Sequence, residues 1–195
     1  MLQPTTTRRP PVSAIIGLGA NLSSDHSTLI KTLQDSLDML VGDGVEIQAV
    51  SRFYSTPCFP AGAGPDYVNA VALLRAEVSA ADLLSRLHTI EETMGRERTE
   101  RWGQRVLDLD LLAFGDEIAP DLEAFSHWRD LPIPEQSTIA PEQLILPHPR
   151  LQDRAFVLVP MAEVAPGWVH PVTGRSTRQM LGDLDAGDVA QIVPL

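Results

Sequence analysis

Residues 106–114 read VLDLDLLAF, an apolar run broken only by Asp108 and Asp110. No other stretch leaves the chain so few choices. Strand side chains alternate between faces, so a strand here sends both aspartates to one side, roughly 6–7 Å apart at Cα. Leu107, Leu109 and Leu111 then point into the opposite layer. A carboxylate buried without a partner is costly unless its pKa shifts until it is neutral. Something positive therefore has to meet this pair. Two divalent ions about 3.5–4 Å apart, bridging carboxylate and phosphate oxygens, fit that spacing. Magnesium fits best, because it favours a few carboxylates plus substrate phosphates over an all-protein cage. The alternatives are a solvent-facing edge, or ion pairs with Arg101 and Arg105.

The segment just before this run carries Arg96, Arg98, Arg101 and Arg105, offset only by Glu97 and Glu100, in a chain whose net charge is −11. The acidic balance argues against a nucleic-acid or anionic-membrane surface, so a local arginine cluster stands out. Arginine forks match phosphate oxygens and stabilise charge in phosphoryl transfer. A solvated loop is the competing reading. Trp102 beside Gly103 either stacks on a planar ligand or anchors the core. His148, Arg150 and Arg154 in LPHPRLQDRAF lie in a proline-shaped loop suited to a phosphate. Tyr67 and Asn69, on one face of another strand, offer a ring and an amide edge to a flat heteroaromatic, or are a sheet-surface pair. GLGAN lacks the Gly-Lys-Ser/Thr ending of a phosphate-binding loop, so a triphosphate has to be held by metal and arginines.

The 195 residues suit one domain, read as residues 14–195 after a flexible tail over 1–13. A single cysteine, Cys58, leaves no intramolecular disulfide, and a reducing cytoplasm is the expected location. No apolar run reaches the roughly 20 residues of a membrane span. Ala14–Leu18 reads as a buried strand running into a Gly/Asn turn. Leu29, Leu33, Leu37 and Leu40 mark a helix over 26–40. Strands are expected over 45–54 and 66–78. Ser79 and Asp82 signal the cap of a second helix carrying Leu83, Leu87, Ile90 and Met94, with His88 and Glu91 beside the stripe. The order β-α-β-β-α-β predicts an α+β sandwich of ferredoxin-like type, with C-terminal additions that include an apolar stretch at Ala155–Val159. Residues 116–143 form an acidic, proline-rich excursion with a short helix near 121–129.

The motifs RWGQRVLDLDLL, GLGANL, SRFYSTPCF…PDYVNAV and LPHPRLQDRAFVLVPMAEVAP, in that arrangement, resemble the 6-hydroxymethyl-7,8-dihydropterin pyrophosphokinase family of folate biosynthesis. The resemblance spans roughly residues 14–182 except the excursion. It implies transfer of diphosphate from ATP to the pterin hydroxymethyl group, with release of AMP and use of two Mg2+ ions. It implies that Asp108 and Asp110 bind the metal, and that Arg96 and Arg105 contact phosphates, Arg96 from a mobile loop. His148 and Arg154 are implied to hold the nucleotide phosphates, with His88, Glu91 and Leu111 also in the ATP site. Thr56, Pro57, Phe59, Tyr67, Asn69, Trp102 and Phe156 are implied to form the pterin slot. The segment from Gly95 to Arg101 is one residue shorter than in the best-known members, which leaves the register of Arg98 open. An insertion at about 119–140, between the metal strand and His148, is expected to tune ATP access. The expected partners are the small molecules ATP and the pterin, with no nucleic acid or membrane, and a monomer.

Overall fold

A computed structural model describes residues 9–23, 25–58, 64–95, 106–132, 135 and 139–195. Its centre is a six-stranded sheet built from β1 (Val12–Ala20), β2 (Val45–Val50), β3 (Tyr54–Thr56), β4 (Tyr67–Ala76), β5 (Asp108–Phe114) and β6 (Val193–Pro194). The order is β5-β1-β4-β3-β6, with β2 also on β4, and every pairing is antiparallel. The arrangement β5-β1-β4-β2, with α1 (His26–Leu40) and α2 (Ala80–Thr93) as crossovers, is the ferredoxin-like α+β sandwich that the element order predicts.

The two crossover helices form where the apolar spacing places them. On α1, Leu29, Leu33, Leu37 and Leu40 are all buried, and Asp25 caps the first turn by accepting the Ser27 and Thr28 N–H groups at 3.2 Å. On α2, Ser79 and Asp82 make a reciprocal capping box, and Leu83, Leu87 and Ile90 are buried. These faces meet Ala14, Ile16, Leu18, Leu109 and Leu111 of the sheet in one core. Each fully buried leucine contributes about 1.5–3 kcal/mol of transfer free energy, so this layer dominates the stability of the sandwich.

The opposite sheet face carries the C-terminal additions. The apolar stretch after Arg154 is a helix, α4 (Ala155–Val164), which packs Val157, Leu158 and Met161 onto Ile15, Val71 and Leu112. The Tyr54 hydroxyl donates to Glu163 Oε1 at 2.7 Å and ties β3 to this helix. α5 (Thr177–Asp183) adds Met180 to the same cluster, and α6 (Ala186–Ala190) leads to β6. The excursion contains α3 (Leu122–Asp130), as its sequence predicts.

Strand boundaries differ from expectation, by one or two residues at β4 (Tyr67–Ala76 against 66–78) and more informatively elsewhere. β1 begins at Val12 and continues to Ala20, so Gly17 and Gly19 are strand residues and the turn follows them. Pairing with β4 on one side and β5 on the other overrides the local turn tendency of GLGAN. The expected strand over 45–54 is interrupted at Ser51–Phe53, because Ser51 Oγ takes the Val71 N–H at 3.0 Å in place of a ladder bond. β5 begins at Asp108 rather than Val106.

Candidate active site

The registers of β1, β4 and β5 build the floor of the site. Gly19 pairs with Asn69 on one side and Asp108 on the other, while Gly17 pairs with Val71 and Asp110. Directly paired residues share a face, so Asn69, Gly19 and Asp108 form one transverse row. Two strand spacings of 4.7–4.9 Å put Asn69 and Asp108 roughly 10 Å apart at Cα, with glycine between them. The missing side chain opens a trough. A Cβ added at Gly19 would lie 2.8 Å from Asn69 Oδ1, so the carboxamide occupies the space that the glycine leaves. Asn69 Nδ2 in turn donates to Thr56 Oγ1 at 2.6 Å, and both residues are buried. These glycines went unassigned in the sequence, although their spacing of two matches that of the aspartates.

Asp108 and Asp110 are partly exposed, whereas Leu109 and Leu111 are buried in the α1–α2 layer, as the alternation requires. The aspartates line two adjoining cavities. The larger, about 450 Å³, runs along the outer side of β5 and also takes in His88, His148, Arg150 and Arg154. The smaller, about 20 Å³, is bounded by Gly17, Gly19, Asn69 and Phe156. The carboxylates therefore stand where the two spaces meet.

His148 is held by its main chain, whose N–H donates to Leu112 O at 2.8 Å on the outer edge of β5. Its Nδ1 accepts the Arg150 N–H at 3.1 Å, so the neutral ring carries its proton on Nε2. Burial and nearby Arg154 push its pKa down to about 3, against the opposing pull of Asp108. The imidazole is thus a neutral donor at neutral pH. Burial also disfavours the charge on Arg154, while Asp110 favours it. That guanidinium lies 5.5 Å from the Phe156 ring centroid, next to the smaller cavity. Arg150 is paired with Asp153 at 3.1 Å.

Glu91 lies behind the cleft at 1% exposure, where its Oε1 accepts the Leu109 N–H at 2.7 Å. It ties α2 to the strand between the two aspartates. Leu111 follows Leu109 at the same phase of the ladder, so its main chain falls on the same outer edge. Tyr67 is half-buried at the start of β4, and Pro57 is exposed. Arg96, Arg98, Arg101, Trp102, Arg105 and Phe59 lie outside the described residues.

The donor set discriminates among metals. Among the described residues, no group of three or more His, Cys, Asp or Glu side chains could hold an ion. Two carboxylates on an open trough, with Arg150 and Arg154 lining the same cleft, fit magnesium shared with a phosphorylated ligand and do not provide an all-protein cage for zinc or calcium. No helix among the described residues is long and apolar enough to cross a membrane.

Fold and cleft together define an α+β protein whose carboxylate pair stands between a cleft of about 450 Å³, lined by both acidic and basic side chains, and a small slot. The family model described as 7,8-dihydro-6-hydroxymethylpterin-pyrophosphokinase matches residues 15–166. A 2-amino-4-hydroxy-6-hydroxymethyldihydropteridine pyrophosphokinase from Synechocystis sp. is 34% identical over 194 residues, 99% of this chain and 87% of that protein. One of the same name from Pseudomonas aeruginosa is 38% identical over 167 residues, covering 85% and 88%. The chain belongs to the 7,8-dihydro-6-hydroxymethylpterin-pyrophosphokinase family. The crystal structure of wild-type Plasmodium falciparum HPPK-DHPS with pterin and p-hydroxybenzoate superposes with a TM-score of 0.62 at 15% identity. That match takes in 91% of this chain but 44% of the other, and at such identity it establishes the fold alone.

Proposed function

We propose that this chain transfers a diphosphate group from ATP to the hydroxymethyl oxygen of 6-hydroxymethyl-7,8-dihydropterin, releasing AMP in folate biosynthesis. The observation that carries this reading is the position of Asp108 and Asp110, which line both the large cleft and the slot beside Asn69 and Phe156. A nucleotide in the large cleft and a pterin docked beside Gly19, Asn69 and Phe156 would meet at the carboxylates. Two magnesium ions held by Asp108 and Asp110 would neutralise the charge on the transferring phosphates.

The chain's own residues then position and exclude. The neutral His148 donates from Nε2, and Arg154 supplies fixed positive charge, with Arg96 and Arg105 completing the phosphate contacts. His88 and Leu111 flank the nucleoside, and Glu91 keeps the metal strand in place. Asn69 reads the amide-like edge of the pterin, with Thr56, Pro57, Phe59, Tyr67, Trp102 and Phe156 around the ring. The pterin oxygen forms a bond to the β-phosphorus, the bond from that phosphorus to the α–β bridging oxygen breaks, and the hydroxyl proton passes to water. Positioning and charge neutralisation supply most of what such a transfer needs, so neither aspartate has to act as a base. The protein works as a monomer, in one domain, in the cytoplasm.

The test is incubation with the pterin, ATP and Mg2+, followed by chromatography of the nucleotide product. Pterin-dependent AMP is expected, and its loss in Asp108→Ala and Asp110→Ala. ADP as product, or near-normal turnover in either variant, contradicts the proposal.

A further inference from the structure

We infer that Trp128, on the inserted helix α3, is the stacking surface for the nucleobase of the nucleotide; this rests on the nucleotide reading above. The helix is firmly seated. Asp121 caps it by accepting the Ala124 N–H at 2.8 Å, and Phe125 is fully buried, edge-on to His170 with ring centroids 5.6 Å apart. At the neck of the excursion, Ala119 and Leu146 exchange two main-chain hydrogen bonds of 3.0 Å. The insertion is therefore a closed, anchored unit. Trp128 follows Phe125 by three residues, so the buried ring fixes where the indole stands.

Trp128 is half-buried, lies edge-on to His127 at 5.7 Å and lines the 450 Å³ cleft. It is the one Phe, Tyr or Trp side chain among the described residues that does so. Asp108, Asp110, Glu142, Arg150 and Arg154 give the cleft its charged lining, with His148 a neutral donor among them, which suits a metal-bound triphosphate. Leu84, Leu144 and Ile145 give it an apolar lining, which has no use for phosphate. What remains of ATP is a sugar and a flat purine, and an indole with a solvent-facing surface gains by covering such a ring. Stacking uses the π-face that every base has, so Trp128 sets nucleotide affinity rather than base identity.

The experiment titrates the full chain, with Mg2+, using α,β-methylene-ATP and separately inorganic tripolyphosphate. Trp128→Ala is expected to weaken the nucleotide analogue about tenfold, and Trp128→Phe less, with tripolyphosphate affinity unchanged in both. Unchanged analogue affinity overturns the assignment. So does an equal loss for tripolyphosphate, which would mean that the indole only supports the cleft. If wild-type protein still makes AMP in the presence of the pterin, either result refutes the role of Trp128 alone. Wild-type protein that neither binds the analogue nor makes AMP refutes this inference and the nucleotide reading together.

Discussion

Replacing Gly19 with alanine tests the floor of the site with one methyl group. The new Cβ would stand 2.8 Å from Asn69 Oδ1, well inside van der Waals contact. Strand pairing on both sides of Gly19 resists movement of the main chain, so the Asn69 carboxamide has to yield. It is held by the 2.6 Å bond to Thr56, in a pocket where Asn69 is 8% and Thr56 3% exposed. Turning it away leaves a buried amide or hydroxyl underbonded, at a cost of about 1–2 kcal/mol. For a protein of this size that corresponds to a fall in Tm of about 2–8 °C. If Asn69 reads the pterin edge, the displaced amide also weakens pterin binding by roughly tenfold, at 1.4 kcal/mol per decade. Calorimetric titration with the pterin, in the presence of a non-hydrolysable ATP analogue, measures this directly. Affinity for the ATP analogue itself should hold, because Gly19 and Asn69 border the small cavity and not the large one. A folded Gly19→Ala protein with wild-type pterin affinity would show that the Asn69 carboxamide does not set pterin binding.

Other perturbations separate the remaining parts of the site. Asp108→Asn and Asp110→Asn should abolish AMP formation while leaving the circular dichroism spectrum unchanged, since both side chains are partly exposed and lie outside the buried core. Glu91→Ala leaves the buried Leu109 N–H without its carboxylate, and should lower Tm and raise the Mg2+ concentration needed for half-maximal rate. Chelation of Mg2+ should stop turnover, and added Mg2+ should restore it. Burial pushes the pKa of His170 down to about 4, so the unfolded chain, with an ordinary value near 6.5, binds its proton first as pH falls. Stability should therefore drop as pH falls from about 6.5 to about 4, and His170→Asn should flatten that slope in thermal melts.

The sequence exposed the features whose signal is local. The spacing of Leu29, Leu33, Leu37 and Leu40, the Ser79–Asp82 cap and the Asp108/Asp110 alternation each express one period or one short-range hydrogen bond, and each is found in the structure. What stayed hidden depends on partners far along the chain. Gly17 and Gly19 look like a turn until β4 and β5 pair on either side of them. The break at Ser51 exists because a side chain takes over a ladder bond from Val71. α4 is apolar on nearly every face and carries Pro160, so no period distinguished helix from strand there. In the cleft, Asp108 and Asp110 were legible from their alternation, and His148 and Arg154 from the proline-shaped loop that carries them. Trp128 was not, because the excursion is weakly periodic and nothing near it in sequence points to the cleft that it reaches.

Asp108 and Asp110 are placed to serve attack at the β-phosphorus under the proposed reaction. The most direct measurement follows label from ATP carrying 32P at either the α or the β position, in the presence of the pterin and Mg2+. Diphosphoryl transfer predicts that α-label ends in AMP and β-label in the pterin product. β-label recovered in ADP, with an unlabelled pterin, would mean transfer of the γ-phosphoryl group alone and rule out diphosphoryl transfer.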